Sequence, residues 1–205
     1  APFTFGSFNR VSKLTPGTLA LWAEVLGRVP RARMRLGAVG EGDRDWILRA
    51  LVGHGVDPAR LDFLPRMAKN DYLAAHAGVD LLLDSTPYSG GTTTGHGLWM
   101  GVPTLTLAGA TLPGRQSLNI LGHCGLEAFI AADRADFVAK AVDWAARVPE
   151  LADLRLGMRE RLRPTSIGDP RYAAEALEDA VRAAWRRWCT GLPPERLLVP
   201  ERERA

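Results

Sequence analysis

One stretch of this chain constrains its fold more than any other: Asp84-Ser85-Thr86-Pro87-Tyr88-Ser89-Gly90-Gly91-Thr92-Thr93-Thr94-Gly95-His96-Gly97-Leu98-Trp99-Met100-Gly101-Val102-Pro103. An apolar run at 79–83 precedes it and reads as a buried parallel strand. A short amphipathic segment and a second apolar run, at 104–107, follow. The order is strand, Gly-rich turn, helix start carrying three hydroxyls, strand. In an open α/β sheet that turn is where phosphate binds. Gly90 and Gly91 let the backbone come close, and first-turn N–H groups and the helix dipole face the anion. Thr92, Thr93 and Thr94 are expected to add hydroxyl donors and a helix cap.

The rest of the chain alternates in the same way. Strands are predicted at 3–8, 33–39, 60–64, 79–84 and 104–107, with a short sixth at 129–131. Helices are predicted at 15–29, 43–54, 69–77, 92–100, 115–124, 133–147, 150–162 and 170–189. Leu19, Trp22, Val25, Leu26 and Val29 fall on one face of the first helix. Alternation of this kind predicts an α/β fold, a doubly wound parallel sheet of Rossmann-like type. Residues 1–190 read as one lobe. Residues 191–205, rich in Pro, Glu and Arg, read as a loosely ordered tail.

Composition narrows the function classes. A chain of 205 residues with 46% apolar and 24% charged residues reads as one globular domain with a real core. No apolar run approaches the roughly 20 residues of a membrane span, and no signal peptide is visible. The net charge of +3 is small and partly owed to C-terminal arginines, so it implies no nucleic-acid partner. Cys124 and Cys189 fit no metal or redox spacing, and are expected to be two buried thiols in a reducing cytoplasm. The fingerprint G-x-G-x-x-G is absent after the first strand, which argues against a nicotinamide or flavin enzyme. No metal-ligand spacing and no G-x-S-x-G elbow occurs. Trp22, Trp99, Trp144 and Trp185 are expected to pack in the core. Arg182, Arg186 and Arg187 read as a solvated helix face.

Ligands of such a sheet lie at the carboxyl ends of its strands, so the loops there carry the candidates. After the first strand come Asn9, Arg10 and Lys13. A cation at Arg10 or Lys13 could neutralise a diphosphate leaving group, and each also fits a solvated residue serving the turn. After the third strand, Lys69 and Tyr72 share a helix face. A ring and an ammonium there suit a nucleoside, and equally a helix-start lysine and a core-edge tyrosine. After the fourth strand stands the Gly-Gly-Thr-Thr-Thr turn, with His96 one turn into its helix. His96 is read as either a site residue or a packed helix residue. His54, His76 and His123, near helix ends, read as structural.

In this order the segments resemble a known family. Phe8-Asn9 and Lys13 precede a Thr-Pro helix start and Leu21-Trp22. Residues 60–65 are followed by Lys69, and the run 84–103 contains Tyr-x-Gly-Gly-Thr-Thr-Thr and Leu-Trp-Met-Gly-Val-Pro. Gly114-Arg115, Leu121-Gly122, Gly125-Leu126, Leu154-Arg155, residues 159–163 and a last helix with Trp185 complete the match. These pieces, over about residues 3–188, resemble the C-terminal catalytic lobe of the TPR-containing protein O-linked N-acetylglucosamine transferases, including Spindly-like and bacterial members.

The resemblance implies one lobe of a two-lobed GT-B glycosyltransferase that is inverting and metal-independent, with no cofactor. It moves N-acetylglucosamine from UDP-N-acetylglucosamine to Ser or Thr of an acceptor protein. It implies that Lys13 is the catalytic cation on the diphosphate. Arg10 falls where the family often has a glutamine near the phosphates. Met67 would meet uracil through its backbone and Lys69 would reach the ribose. Tyr72 stands where animal members place a histidine, and Gly90, Gly91, Thr92, Thr93 and Thr94 belong to the diphosphate turn. Three departures stand out: His96 replaces an aspartate on the ribose, Gly91 replaces a histidine of animal members, and Ala75 stands where they have an arginine. They leave open a related transferase with another donor or acceptor, such as glucose onto Asn, and a non-catalytic nucleotide-binding or interaction module. The family's N-terminal catalytic lobe and TPR array have no counterpart here, so these 205 residues are expected to bind nucleotide weakly and transfer nothing. The last helix would then expose Trp185 and Trp188.

Overall fold

In the computed structural model, which describes residues 2–198, six strands alternate with eight helices. In chain order they are β1 (Thr4–Ser7), α1 (Pro16–Arg28), β2 (Arg33–Leu36), α2 (Glu41–Gly53), β3 (Leu61–Phe63), α3 (Lys69–Ala74) and β4 (Leu81–Leu83). Then follow α4 (Thr92–Trp99), β5 (Thr104–Leu107), α5 (Gln116–His123), β6 (Ile130–Ala131), α6 (Arg134–Ala146), α7 (Val148–Leu162) and α8 (Pro170–Cys189).

The strands form one sheet in the order β3-β2-β1-β4-β5-β6, with every pair parallel. Phe5 pairs with Met34 on one side and with Leu81 on the other. The strand order reverses between β1 and β4, and a doubly wound sheet opens a crevice at that point. The predicted fold class is the observed one.

Local chemistry explains most element starts. Thr15 accepts a bond from the Thr18 N–H and Pro16 follows it, which sets the start of α1. Asp133 and Asp169 cap α6 and α8 in the same way. β2 is shorter than predicted: it ends at Leu36, and the Phe8 ring lies over Gly37, where a Cβ would stand 2.1 Å from it. The helix predicted at 69–77 is α3 followed by a 3₁₀ turn at Ala75–Gly78.

Successive residues of a strand face opposite sides of the sheet. In β4, Leu81 and Leu83 join the main core, while Leu82 joins a smaller cluster with Phe8, Val79 and Val102. Both faces are covered, which is why β4 reads as an unbroken apolar run. Trp22 is fully buried in the main core beside Phe5, Leu26 and Met34. Truncating such a side chain to alanine costs about 3–5 kcal/mol.

Two expectations, one drawn from helix faces and one from cysteine spacing, are corrected here. Trp22 and Trp144 are core residues, but Trp99 and Trp185 are 44% and 64% exposed; for Trp185 the exposure is the one expected of the last helix from the resemblance. Trp99 lies beneath the Arg159 guanidinium, and α8 buries no residue at all. Leu177, Val181, Trp185 and Trp188 form an exposed stripe along α8, a spacing that helical periodicity alone cannot assign to core or surface. Cys124, which follows α5, is buried as expected, whereas Cys189, at the end of α8, is exposed. Of the tail, residues 193–195 lie against α8, where Arg187 bonds Pro193 O and pairs with Glu195. Residues 199–205 lie outside the described residues.

Candidate functional site

The carboxyl ends of β1 and β4 meet at the switch point. The chain leaving β1 runs through Asn9 and Arg10 into a 3₁₀ turn, Val11–Lys13, which hands over to α1. The chain leaving β4 runs through residues 84–91 into α4. The two are tied together. Thr18 and Thr15 both donate their hydroxyls to Thr86 O, at 2.6 and 3.0 Å. Trp22 donates its indole N–H to Asp84 O at 3.1 Å, and the Lys13 ammonium donates to Ser89 O at 2.8 Å.

Between these turns lies a cleft of about 310 Å³, lined by Arg10, Lys13, Tyr88, Gly91, Thr92 and Thr93 among others. The Lys13 ammonium stands 4.0 Å from the centre of the Tyr88 ring. Burial pushes Lys13 below the ordinary lysine range; the Asp84 carboxylate pulls it back up and Arg10 pushes it down again.

The first backbone bond into α4 runs from Gly95 N–H to Gly91 O. The N–H groups of Thr92, Thr93 and Thr94 therefore have no acceptor within the helix, and a helix start of this kind attracts anions. Gly90 is required by close approach: a Cβ there would stand 2.3 Å from Thr94 Oγ1 and 2.9 Å from Thr93 Oγ1.

The three threonines do not act alike. The N-cap of α4 is Gly91, and no side chain caps it, so the expected threonine cap is absent. Thr94 is 1% exposed and its hydroxyl bonds Ser117 Oγ inside the protein, because the third residue of a helix turns away from a ligand at the first. Thr93 donates its hydroxyl hydrogen to Asn9 Oδ1 at 2.6 Å, so toward the cleft it offers a backbone N–H and an acceptor oxygen. Among the described residues, Thr92 keeps the one hydroxyl of the three without a protein partner.

The predicted nucleoside residues occupy a neighbouring place. Tyr72 is half-buried, with its hydroxyl 3.3 Å from His96 Nδ1. Its ring also meets those of Phe8 and His76 edge-on. Burial pushes the Tyr72 phenol up to about 12. His76 is fully buried, stacks on Phe8 and bonds Tyr72 O through Nδ1, as a structural histidine does. Met67 and Lys69 sit at the connection from β3 to α3, outside the lining of the cleft. The structure thus brings Arg10, Lys13, Gly91, Thr92 and Thr93 together, with Gly90 beneath them, and sets Tyr72 and His96 against each other.

Sequence reasoning missed Asp84, Tyr88 and Ser89 as parts of this site. For Asp84 a signal was present: an acidic residue ending an apolar strand, immediately before a Gly-rich turn. Tyr88 stood in the Tyr-x-Gly-Gly-Thr-Thr-Thr motif with no role read from it, and neither it nor Ser89 could be paired with Lys13 locally, since that partner is 75 and 76 positions away in sequence.

Comparison with known proteins gives a consistent result. Residues 2–174 match Glycosyl transferase family 41. A rice protein described as a probable UDP-N-acetylglucosamine–peptide N-acetylglucosaminyltransferase, SPINDLY, is 36% identical over 195 residues, covering 93% of this chain and 21% of its own length. The Caenorhabditis elegans UDP-N-acetylglucosamine–peptide N-acetylglucosaminyltransferase is 28% identical over 190 residues, covering 92% and 16%. The chain spans about a fifth of the length of the curated relatives it matches most fully. Among solved structures, a mutant O-GlcNAc transferase of Thermobaculum terrenum superposes with a TM-score of 0.85 at 38% identity, over 93% of this chain and 37% of that one. Staphylococcus aureus TarM, at 11% identity and a TM-score of 0.59, shares the fold.

Proposed function

The chain belongs to glycosyl transferase family 41, and from that premise we propose that it is the nucleotide-sugar lobe of a GT-B transferase that moves N-acetylglucosamine from UDP-N-acetylglucosamine to Ser or Thr of a protein. The observation that carries this reading is the single cleft where Lys13, Arg10 and the free N–H groups of α4 converge at the switch point.

The chemistry follows from charge. When a sugar–diphosphate bond breaks, negative charge grows on the β-phosphate. Lys13, with Arg10 beside it, supplies fixed positive charge where that happens, and the Thr92 and Thr93 N–H groups supply dipoles that need no reorientation. Held this way, the leaving group departs without a metal as the acceptor oxygen attacks the opposite face of the sugar and gives up its hydroxyl proton, which inverts the anomeric centre and leaves the glycoside, UDP and a proton as products. Tyr72 and His96 flank the nucleoside. Relatives extend far beyond the matched region, so polypeptide outside these 205 residues supplies the acceptor side. We place the protein in the cytoplasm, where its two free thiols are stable; among the described residues no helix is long and apolar enough to cross a membrane.

Calorimetric titration of the chain with UDP tests the nucleotide reading, and a panel of UDP-N-acetylglucosamine and UDP-glucose tests the sugar. Saturable UDP binding that Lys13→Ala and Thr92→Ala both weaken supports the proposal. Absence of UDP binding overturns it for this chain, and a stronger response to UDP-glucose overturns the sugar assignment.

A further inference from the structure

We infer that Asp84 is the positioning residue of the anion-binding turn: its buried carboxylate holds Gly90 and Asn9 so that α4 presents its first-turn groups to the ligand. The inference rests on the proposed nucleotide site and concerns a residue outside the cleft lining.

Asp84 is 2% exposed. Oδ1 accepts three hydrogen bonds, from Ser85 N–H at 2.9 Å, Gly90 N–H at 2.7 Å and Asn9 Nδ2 at 3.0 Å. Oδ2 accepts the Thr106 hydroxyl at 2.7 Å. All four donors are neutral: Asn9 follows β1, Ser85 and Gly90 belong to the connection from β4 to α4, and Thr106 lies in β5. Its backbone is also fixed, since its N–H donates to Leu105 O and its carbonyl accepts from Trp22. A buried charge survives only when its oxygens are fully paired, and a charged acceptor strengthens every bond it takes.

The consequences run outward in two steps. The bond to Gly90 N–H folds residues 85–90 around the carboxylate, which delivers Gly91 to the N-cap of α4. The bond to Asn9 fixes the orientation of its amide. Nδ2 donates inward to Asp84 and to Ser85 Oγ, so Oδ1 faces outward and takes the Thr93 hydroxyl. Gly90 has a second anchor through its carbonyl, which accepts from Ser117 Oγ at 3.0 Å, and Asn9 also bonds Ser85 Oγ at 3.0 Å, but of these partners only Asp84 is a carboxylate.

Two simpler roles make opposite forecasts. A carboxylate behind an anion site repels the ligand, so on charge alone its neutralisation tightens binding. A purely structural carboxylate changes the melting temperature and leaves the affinity of the folded fraction unmoved. A positioning carboxylate, when neutralised, weakens binding by the folded protein.

The test pairs calorimetric UDP titration with amide hydrogen exchange on the wild-type chain, Asp84→Asn and Thr106→Val, well below each melting temperature. For Asp84→Asn the expected results are a UDP affinity lower by about tenfold or more and faster exchange at Ser85 and Gly90, with Leu83 and Leu105 unchanged. Thr106→Val removes one partner of the carboxylate and leaves its charge. It is expected to lower UDP affinity by about fivefold, and it decides the matter if Asp84→Asn does not fold. Unchanged or tighter UDP binding by the folded variants overturns the inference, as does unchanged exchange at Gly90. If the wild-type chain does not bind UDP, the nucleotide reading fails, and the exchange arm still decides whether Asp84 holds the turn.

Discussion

The Lys13 ammonium donates to Ser89 O at 2.8 Å across 76 positions of sequence. This bond joins the turn after β1 to the turn after β4 and holds a cation at the mouth of the switch-point crevice, beside the open N-terminus of α4.

Replacing Lys13 with alanine should remove the nearest fixed charge for a diphosphate. A hydrogen bond to a charged group contributes about 1.5–3 kcal/mol, so UDP affinity should fall by about tenfold to a hundredfold. The fold should persist, since Lys13 belongs to neither core cluster. Calorimetry gives the first result and a thermal melt the second.

The same lysine sets a pH dependence. Only its charged form attracts the anion, and burial lowers its pKa from the ordinary 10.5. UDP affinity should therefore decline as pH rises, beginning below the range where an exposed lysine titrates. Lys13→Arg stays charged throughout and is the control for titration of UDP itself. Parallel pH curves for the two proteins would refute the assignment.

Gly90→Ala should damage both stability and binding. The new Cβ would meet Thr94 Oγ1 at 2.3 Å and Thr93 Oγ1 at 2.9 Å, and Ser117 Oγ closes the third side at 3.2 Å. Overpacking of this kind costs about 1–3 kcal/mol. Denaturant unfolding measures the cost. UDP binding should be lost along with it, because the substitution displaces the first turn of α4.

His76 makes stability fall in acid. Burial lowers its pKa below 6.5, bonds to Tyr72 and Leu73 backbone raise it in part, and His96 and Arg155 lower it again. The unfolded chain then binds a proton at a higher pH than the folded chain does. The contribution is fully present above about 6.5 and is lost as pH falls from there through the folded value. His76→Phe keeps a ring against Phe8 and cannot titrate. Its denaturation midpoint should change less between pH 7 and pH 5 than that of the wild type.

The sequence by itself determined the order of the elements and the class of the sheet, because periodicity and turn residues act over short distances. The run through β4, the glycines before α4 and the Thr-Pro start of α1 each announce their local structure, and that is enough to place Lys13 and the Gly-rich turn at strand ends. Only the tertiary structure decided which of the adjacent hydroxyls face the ligand. Thr92, Thr93 and Thr94 look equivalent in sequence, yet the helix turns each by a different angle: Thr94 points to Ser117, Thr93 is claimed by Asn9, and Thr92 is left for the cleft. The same holds for Trp22 and Trp99, each on an apolar helix pattern, one buried beneath Asp84 O and the other open to solvent beside Arg159. It holds most of all for Asp84, whose partners at Asn9 and Thr106 lie 75 and 22 positions away. Such contacts are set by the packing of strands against each other, and no local pattern of residues records which strands will be neighbours.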